Sequence, residues 1–188
     1  MPDHKIPRIV TVSAALVLFS LGLALAGYDD GFTAAGKIES SHFAIYYAPQ
    51  VEAGQLAQEL NIGSSDRFLA GSGSGVMGLG GTVDVLFRLV CDMLDMQLYS
   101  FRGNIKICQS DAQLDQAYRS LFGRTLAGKK SFYVFELNTI YISVDGFRRE
   151  ILGHEIAHAV MCHYFVVPPS VKIQEVLAMY VEYQLRKR

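Results

Sequence analysis

The sequence predicts an α+β domain in which a short mixed β-sheet lies beside helices and a metal site lies between the last two of them. Three observations predict it. Runs rich in β-branched and aromatic residues recur along the chain, stretches with apolar residues at helical spacing lie between them, and His-Glu-x-x-His stands at positions 154–158. A Pro-Pro break then separates that motif from one more helical stretch.

The chain opens with Lys5 and Arg8, followed by the uncharged, mostly apolar run Ile9–Ala26, which ends Ala24-Leu25-Ala26. A basic head, an apolar centre and small residues at an A-x-A site form the pattern of a secretory signal peptide. Residues 1–26 are therefore read as a signal peptide, and the protein as exported, periplasmic or secreted. The alternative is a retained membrane anchor over residues 9–26, since eighteen residues lie near the lower limit for crossing a bilayer. No cysteine stands at the cleavage point, where Gly27 follows the run, so a lipoprotein anchor is not expected.

Cleavage there removes Lys5, Arg8 and Asp3 and leaves fifteen basic against seventeen acidic side chains. A nearly neutral domain suggests neither nucleic acid nor an acidic membrane surface as partner. The remaining length suits one domain with a real core. Cys91, Cys108 and Cys162 are too few for a disulfide scaffold. Export permits one bridge, with Cys91 and Cys108 as the favoured pair, and Cys162, one turn beyond His158, is read as a small buried hydrophobe.

Residues 27–41 are polar and glycine-containing and read as a linker, so the folded domain is expected over 42–188. His42–Ala48 is strand-like and ends at Pro49, and Val51–Ile62 has helical spacing. His42, with no partner motif, is read as structural or surface. Gly63–Gly81 holds seven glycines and reads as a loop or flap. Its Gly73-Ser-Gly-Val-Met-Gly78 matches G-x-G-x-x-G, but no strand precedes it, as a dinucleotide site requires. Thr82 is expected to cap a helix over Val83–Leu98 with one apolar stripe.

Asn104–Gln109 reads as a strand. Asp111–Phe122 reads as a helix capped by Ser110 or Asp111 and closed by Gly123. Gly123–Lys130 approaches a phosphate-binding loop but has Lys130 where Ser or Thr is needed and a helix before it, so nucleotide is not expected. Ser131–Glu136 and Thr139–Val144 flank Leu137-Asn138 as a hairpin. Asp145 is expected to cap the next helix, with Ile151, Leu152, Ile156, Ala159 and Val160 on its buried faces.

On that helix His154 and His158 are one turn apart, so two imidazoles reach one metal ion from one face. Glu155 points about 100° around, within reach of a water on the metal without being a ligand. Pro168-Pro169 ends the helix and Ser170 is a plausible N-cap for the next, whose antiparallel return brings Glu175 back as third ligand. Three protein ligands and one open position characterise a catalytic zinc. Tyr164, Tyr180, Tyr183 and His163 are near enough in sequence to donate to an oxyanion. Glu182, seven residues after Glu175, can orient a ligand or pair with Arg186.

Glu175-Val-Leu-Ala178 after His154-Glu-x-x-His158 resembles the zinc helices of gluzincin metallopeptidases, and the region from about Ser41 to Arg188 resembles their small peptidase-MA-like domains. The resemblance implies a small zincin-like domain, zinc on His154, His158 and Glu175, and Glu155 as general base in hydrolysis of a peptide or protein substrate. It also implies that a strand beside the zinc helix, one arm of this hairpin such as Phe132–Glu136, pairs with an extended peptide; the alternative is a fully covered strand. The alternatives are a catalytically inactive zincin-like domain that binds a peptide or partner in the cell envelope, and a structural protein whose histidines never meet metal.

Overall fold

The computed structural model describes residues 29–63, 66 and 77–188. The expected signal peptide and most of the glycine-rich stretch, with its G-x-G-x-x-G match, lie outside the described residues. Strand β1 (Gly36–Glu39) pairs antiparallel with β2 (Phe43–Tyr47), and helices α1 (Ala53–Glu59) and α2 (Leu79–Leu94) follow. Then come β3 (Gly103–Cys108), α3 (Asp111–Phe122), β4 (Ser131–Val134) and β5 (Thr139–Ser143). A 3₁₀ turn, Val144–Gly146, leads to α4 (Arg149–Tyr164) and α5 (Val171–Lys187). The sheet is mixed and runs β1-β2-β3-β5-β4, with β2, β3 and β5 parallel and both end strands antiparallel to their neighbours.

Alternation along the strands assigns the two faces. Ile45, Ile105, Ile107, Ile140 and Ile142 join α2, α4 and α5 in the larger core, while Cys108, Phe132, Val134 and Tyr141 meet Leu114 and Ala117 of α3 on the other side. Both faces of β5 are therefore covered, and all five of its residues are buried. The α+β expectation and the 131–144 hairpin agree with this architecture.

Several local expectations are corrected. The stretch read as a linker contains β1, whose single large apolar residue, Ile38, is too little to signal a strand but packs on the core. Asp30, in the same stretch, is buried and accepts hydrogen bonds from Lys106 Nζ and Tyr141 Oη. Helix α2 begins four residues early, with Gly78 as N-cap, and Thr82 lies inside it, donating from Oγ1 to the Gly78 carbonyl at 3.0 Å. Glycines within that first turn are used for closeness: a Cβ on Gly80 would stand 3.3 Å from the Glu39 carbonyl oxygen of β1. Asp145 belongs to the 3₁₀ turn, and Arg148 is the N-cap of α4. Ser170 holds the N-cap position of α5 without a capping hydrogen bond, whereas Ser110 accepts from Gln113 N–H at 3.3 Å and Gly123 closes α3 at φ 68°.

The expected disulfide is absent, because all three cysteines are free. Cys91 packs on the α2 face of the sheet and Cys108 on the α3 face, so the sheet stands between them. Burial pushes their thiols up to about 11 and about 12, which keeps both protonated. His42 is structural, stacking on Phe87 at a ring separation of 4.3 Å.

Candidate metal centre

Helices α4 and α5 form an antiparallel hairpin, read directly from its cross-contacts: Cys162 and His158 meet Gln174, His158 meets Glu175, and His154 meets Glu175 and Glu182. Gly153 permits this closeness. A Cβ there would come within 2.2 Å of Leu185 Cδ1, so a larger residue would force the buried Leu185 side chain of α5 to move.

The hairpin brings the three expected ligands together. His154 Nε2 and His158 Nε2 are 3.2 Å apart, Glu175 Oε2 lies 3.7 Å from the first and Glu175 Oε1 lies 3.6 Å from the second. Bonds of about 2.1 Å at a tetrahedral angle hold the donors of one zinc ion about 3.4 Å apart, so these separations fit a single ion. His154, His158 and Glu175 form the one metal-capable group of three among the described residues. Burial, and then the neighbouring His154, hold the His158 imidazole below its ordinary value and so favour the neutral, ligating form.

One of the two outer nitrogens, His158 Nδ1, has a partner of the kind that orients metal-bound histidines. Gln174 Oε1 lies 3.3 Å from His158 Nδ1, and Gln174 is itself fixed by donating from Nε2 to the Pro169 carbonyl at 2.8 Å. An Nδ1–H donor there leaves the His158 Nε2 lone pair facing the centre. Glu182 Oε2 stands 3.3 Å from His154 Nδ1 but off the line of a hydrogen bond, so this buried nitrogen has no such bond. Glu182 accepts from Arg186 at 2.6 Å, so of the two roles anticipated for it the pairing with Arg186 is present, while no hydrogen bond from it orients His154.

Glu155 is only 7% exposed and lines the same cavity as the three ligands. Ser131 Oγ donates to its Oε1 at 2.7 Å. Burial pushes the carboxyl up to about 7, with Glu175 adding to the rise and Ser131 and Lys129 opposing it. The cavity, of about 460 Å³, is bounded on one side by residues 131–136.

That boundary is the free edge of the sheet. Ser143 N–H donates to the Lys130 carbonyl, and alternation from that bonded pair turns the backbone N–H and C=O of Ser131 and Tyr133 away from β5. No described strand pairs with this outer edge.

Tyr164, Tyr180, Tyr183 and His163 do not line the cavity. The three tyrosines are exposed, because α5 turns Ala178, Val181 and Leu185 inward and carries Tyr180 and Tyr183 on its outer surface. Tyr133, with its hydroxyl 3.1 Å from His163 Nε2, is the tyrosine of β4 that borders the cavity. Gln174 and Ser131 were not anticipated. Gln174 carries a signal in its place beside Glu175, whereas Ser131, 24 residues before Glu155, has none. Cys162 is buried, with Sγ 3.6 Å from Gln174 Oε1, outside the ligand group. Comparisons with protein-family models, with curated proteins and with solved structures give no match.

Proposed function

We propose that this chain is an exported zinc-dependent peptidase of gluzincin type, with His154, His158 and Glu175 as ligands and Glu155 as general base. The observation that carries the reading is the convergence of those three donors at separations suited to one tetrahedral ion. Two imidazoles and a carboxylate are a donor set that zinc accepts. When bound, zinc supplies Lewis acidity and lowers the pKa of a coordinated water toward neutrality.

The chain's own residues supply the rest. Ser131 occupies Glu155 Oε1 and leaves Oε2 to take a proton from the attacking water and return it to the departing amine. Burial holds this carboxyl near 7 in the metal-free chain, and beside a dication it would be drawn toward the carboxylate form that a base needs. The outward backbone groups of Ser131 and Tyr133 suit an extended peptide added as a further strand, which would lay its backbone beside Glu155.

The test is incubation of the zinc-loaded protein with a peptide mixture and mass spectrometry of new termini. Cleavage that Glu155→Gln reduces about 10²–10⁴-fold, with zinc content unchanged, is expected for a general base. Equal cleavage by the variant contradicts the assignment. Peptide capture without cleavage by the unaltered protein would favour the envelope-binding alternative instead.

A further inference from the structure

The hairpin that carries the candidate centre has an outer surface with an unusual composition. Of thirteen large hydrophobic residues exposed among those described, ten lie between Tyr164 and Tyr183. The α4–α5 loop presents Phe165, Val166 and Val167, with Val166 fully exposed and Val167 79% exposed, on a segment stiffened by Pro168 and Pro169. Helix α5 continues this surface as a stripe of Ile173, Val176, Tyr180 and Tyr183 at helical spacing, all of them exposed. A contiguous apolar surface of this kind marks a site of docking.

Charge identifies what docks. Tyrosines aside, the exposed ionisable residues from position 163 to 188 are basic; Arg186 is paired with Glu182 and Arg188 with Asp66, and burial favours the neutral His163 imidazole, which leaves Lys172 and Lys187 as the cations flanking the stripe. The two carboxylates of α5, Glu175 and Glu182, are half-buried and turned to the imidazoles. A near-neutral total charge therefore conceals a local face that is apolar, aromatic and cationic. Tyrosines suit the wet boundary of a bilayer, and lysines reach from an apolar surface to anionic headgroups.

A second copy fits less well. Two α5 helices packed antiparallel through this stripe would set Lys172 of one against Lys187 of the other, with no exposed carboxylate on the face to offset them. Only under the alternative reading, in which residues 9–26 are retained as an anchor, does the sequence add a second membrane signal, and stable attachment takes two signals where one alone is weak. No described helix is long and apolar enough to cross a membrane, so the surface would lie on the bilayer.

We infer that the α4–α5 loop and the outer stripe of α5 seat on an anionic phospholipid surface, with Val166 and Val167 entering the acyl boundary. Pro168 and Val171 line the candidate cavity, so seating sets that cavity's rim at the membrane. The inference stands independently of peptide hydrolysis.

Depth-dependent fluorescence tests it on the full chain, which the N-terminal run alone could bring to a vesicle. An environment-sensitive label is placed at Val167→Cys and, as a control, at Glu52→Cys. The native cysteines are buried. Glu52 is exposed and follows the β2 end opposite to Phe101, whose ring packs against His163 at 5.1 Å. On vesicles of phosphatidylcholine with phosphatidylglycerol, a lipid-borne quencher should quench the label at 167 several-fold more than the label at 52. Lys172→Glu with Lys187→Glu, or added salt, should narrow that difference. Equal quenching at the two positions overturns the inference. So does a label at 167 that is already shielded without vesicles and unchanged by them, the behaviour of a protein–protein surface.

Discussion

Two clusters of polar side chains lie on opposite faces of the sheet and differ in how they are satisfied. On the α3 side, Asp30 accepts from Lys106, Tyr141 and the Phe32 N–H, so a buried carboxylate meets donors only. Burial alone would raise the Asp30 carboxyl, but those bonds outweigh it and hold the group low. On the α4–α5 side, two imidazole nitrogens face each other at 3.2 Å with a carboxylate alongside, and buried His154 Nδ1 has no hydrogen bond. The first cluster is complete within the protein and ties the segment before β1 to the sheet. The second gathers lone pairs around one point, an arrangement that could hold a cation.

If the first cluster is structural, breaking it should change stability and nothing else. Asp30→Ala leaves Lys106 and the Tyr141 hydroxyl without their partner and should destabilise the fold by about 3–5 kcal/mol in denaturant unfolding, with unchanged zinc affinity. A large loss of zinc affinity in the folded variant would break the contrast between the clusters.

The second cluster should lower stability for the sake of its chemistry. Glu155 is raised from an ordinary 4.5 to about 7, chiefly by burial. Between those values the folded, metal-free chain holds a proton that the unfolded chain has released, so stability falls as pH rises through this window and is level above it. The full window corresponds to roughly 3 kcal/mol. In urea unfolding of the zinc-free protein, the change in stability from about pH 5 to about pH 8 should be less favourable than in Glu155→Gln by roughly 2–3 kcal/mol, the depressed His158 imidazole contributing with the opposite sign in both proteins. An equal pH dependence in both proteins would contradict the raised carboxyl.

A smaller effect sharpens the role of the outer partners. Gln174→Leu removes the acceptor at His158 Nδ1 and should weaken zinc binding by about 10–100-fold, read by competition with a chromogenic chelator. Unchanged affinity would reduce Gln174 to a packing residue.

Much of the candidate site was legible because its signals are local. His154 and His158 share a face by helical spacing alone, Pro168-Pro169 announces the reversal, and Glu175 follows at the distance an antiparallel return requires. Ser110 and Gly123 bound α3 for the same reason. What stayed hidden depends on tertiary contact. Strand β1 has one apolar anchor, the early start of α2 places glycines where a helix packs on backbone, and the bond from Ser131 to Glu155 joins a sheet edge to a helix. Cys91 and Cys108 looked pairable because sequence does not say which face of a sheet each will take. Tyr180 and Tyr183 were close in number but lie on the wrong side of α5, and Tyr164 ends α4 outside the cavity.

The most direct measurement is the zinc content and zinc affinity of the purified protein beside its Glu175→Ala variant. About one zinc per chain, bound markedly more weakly by the variant, is the result expected of three protein ligands with one open position. No zinc after reconstitution, or equal affinity in the variant, would contradict the centre on which the account rests.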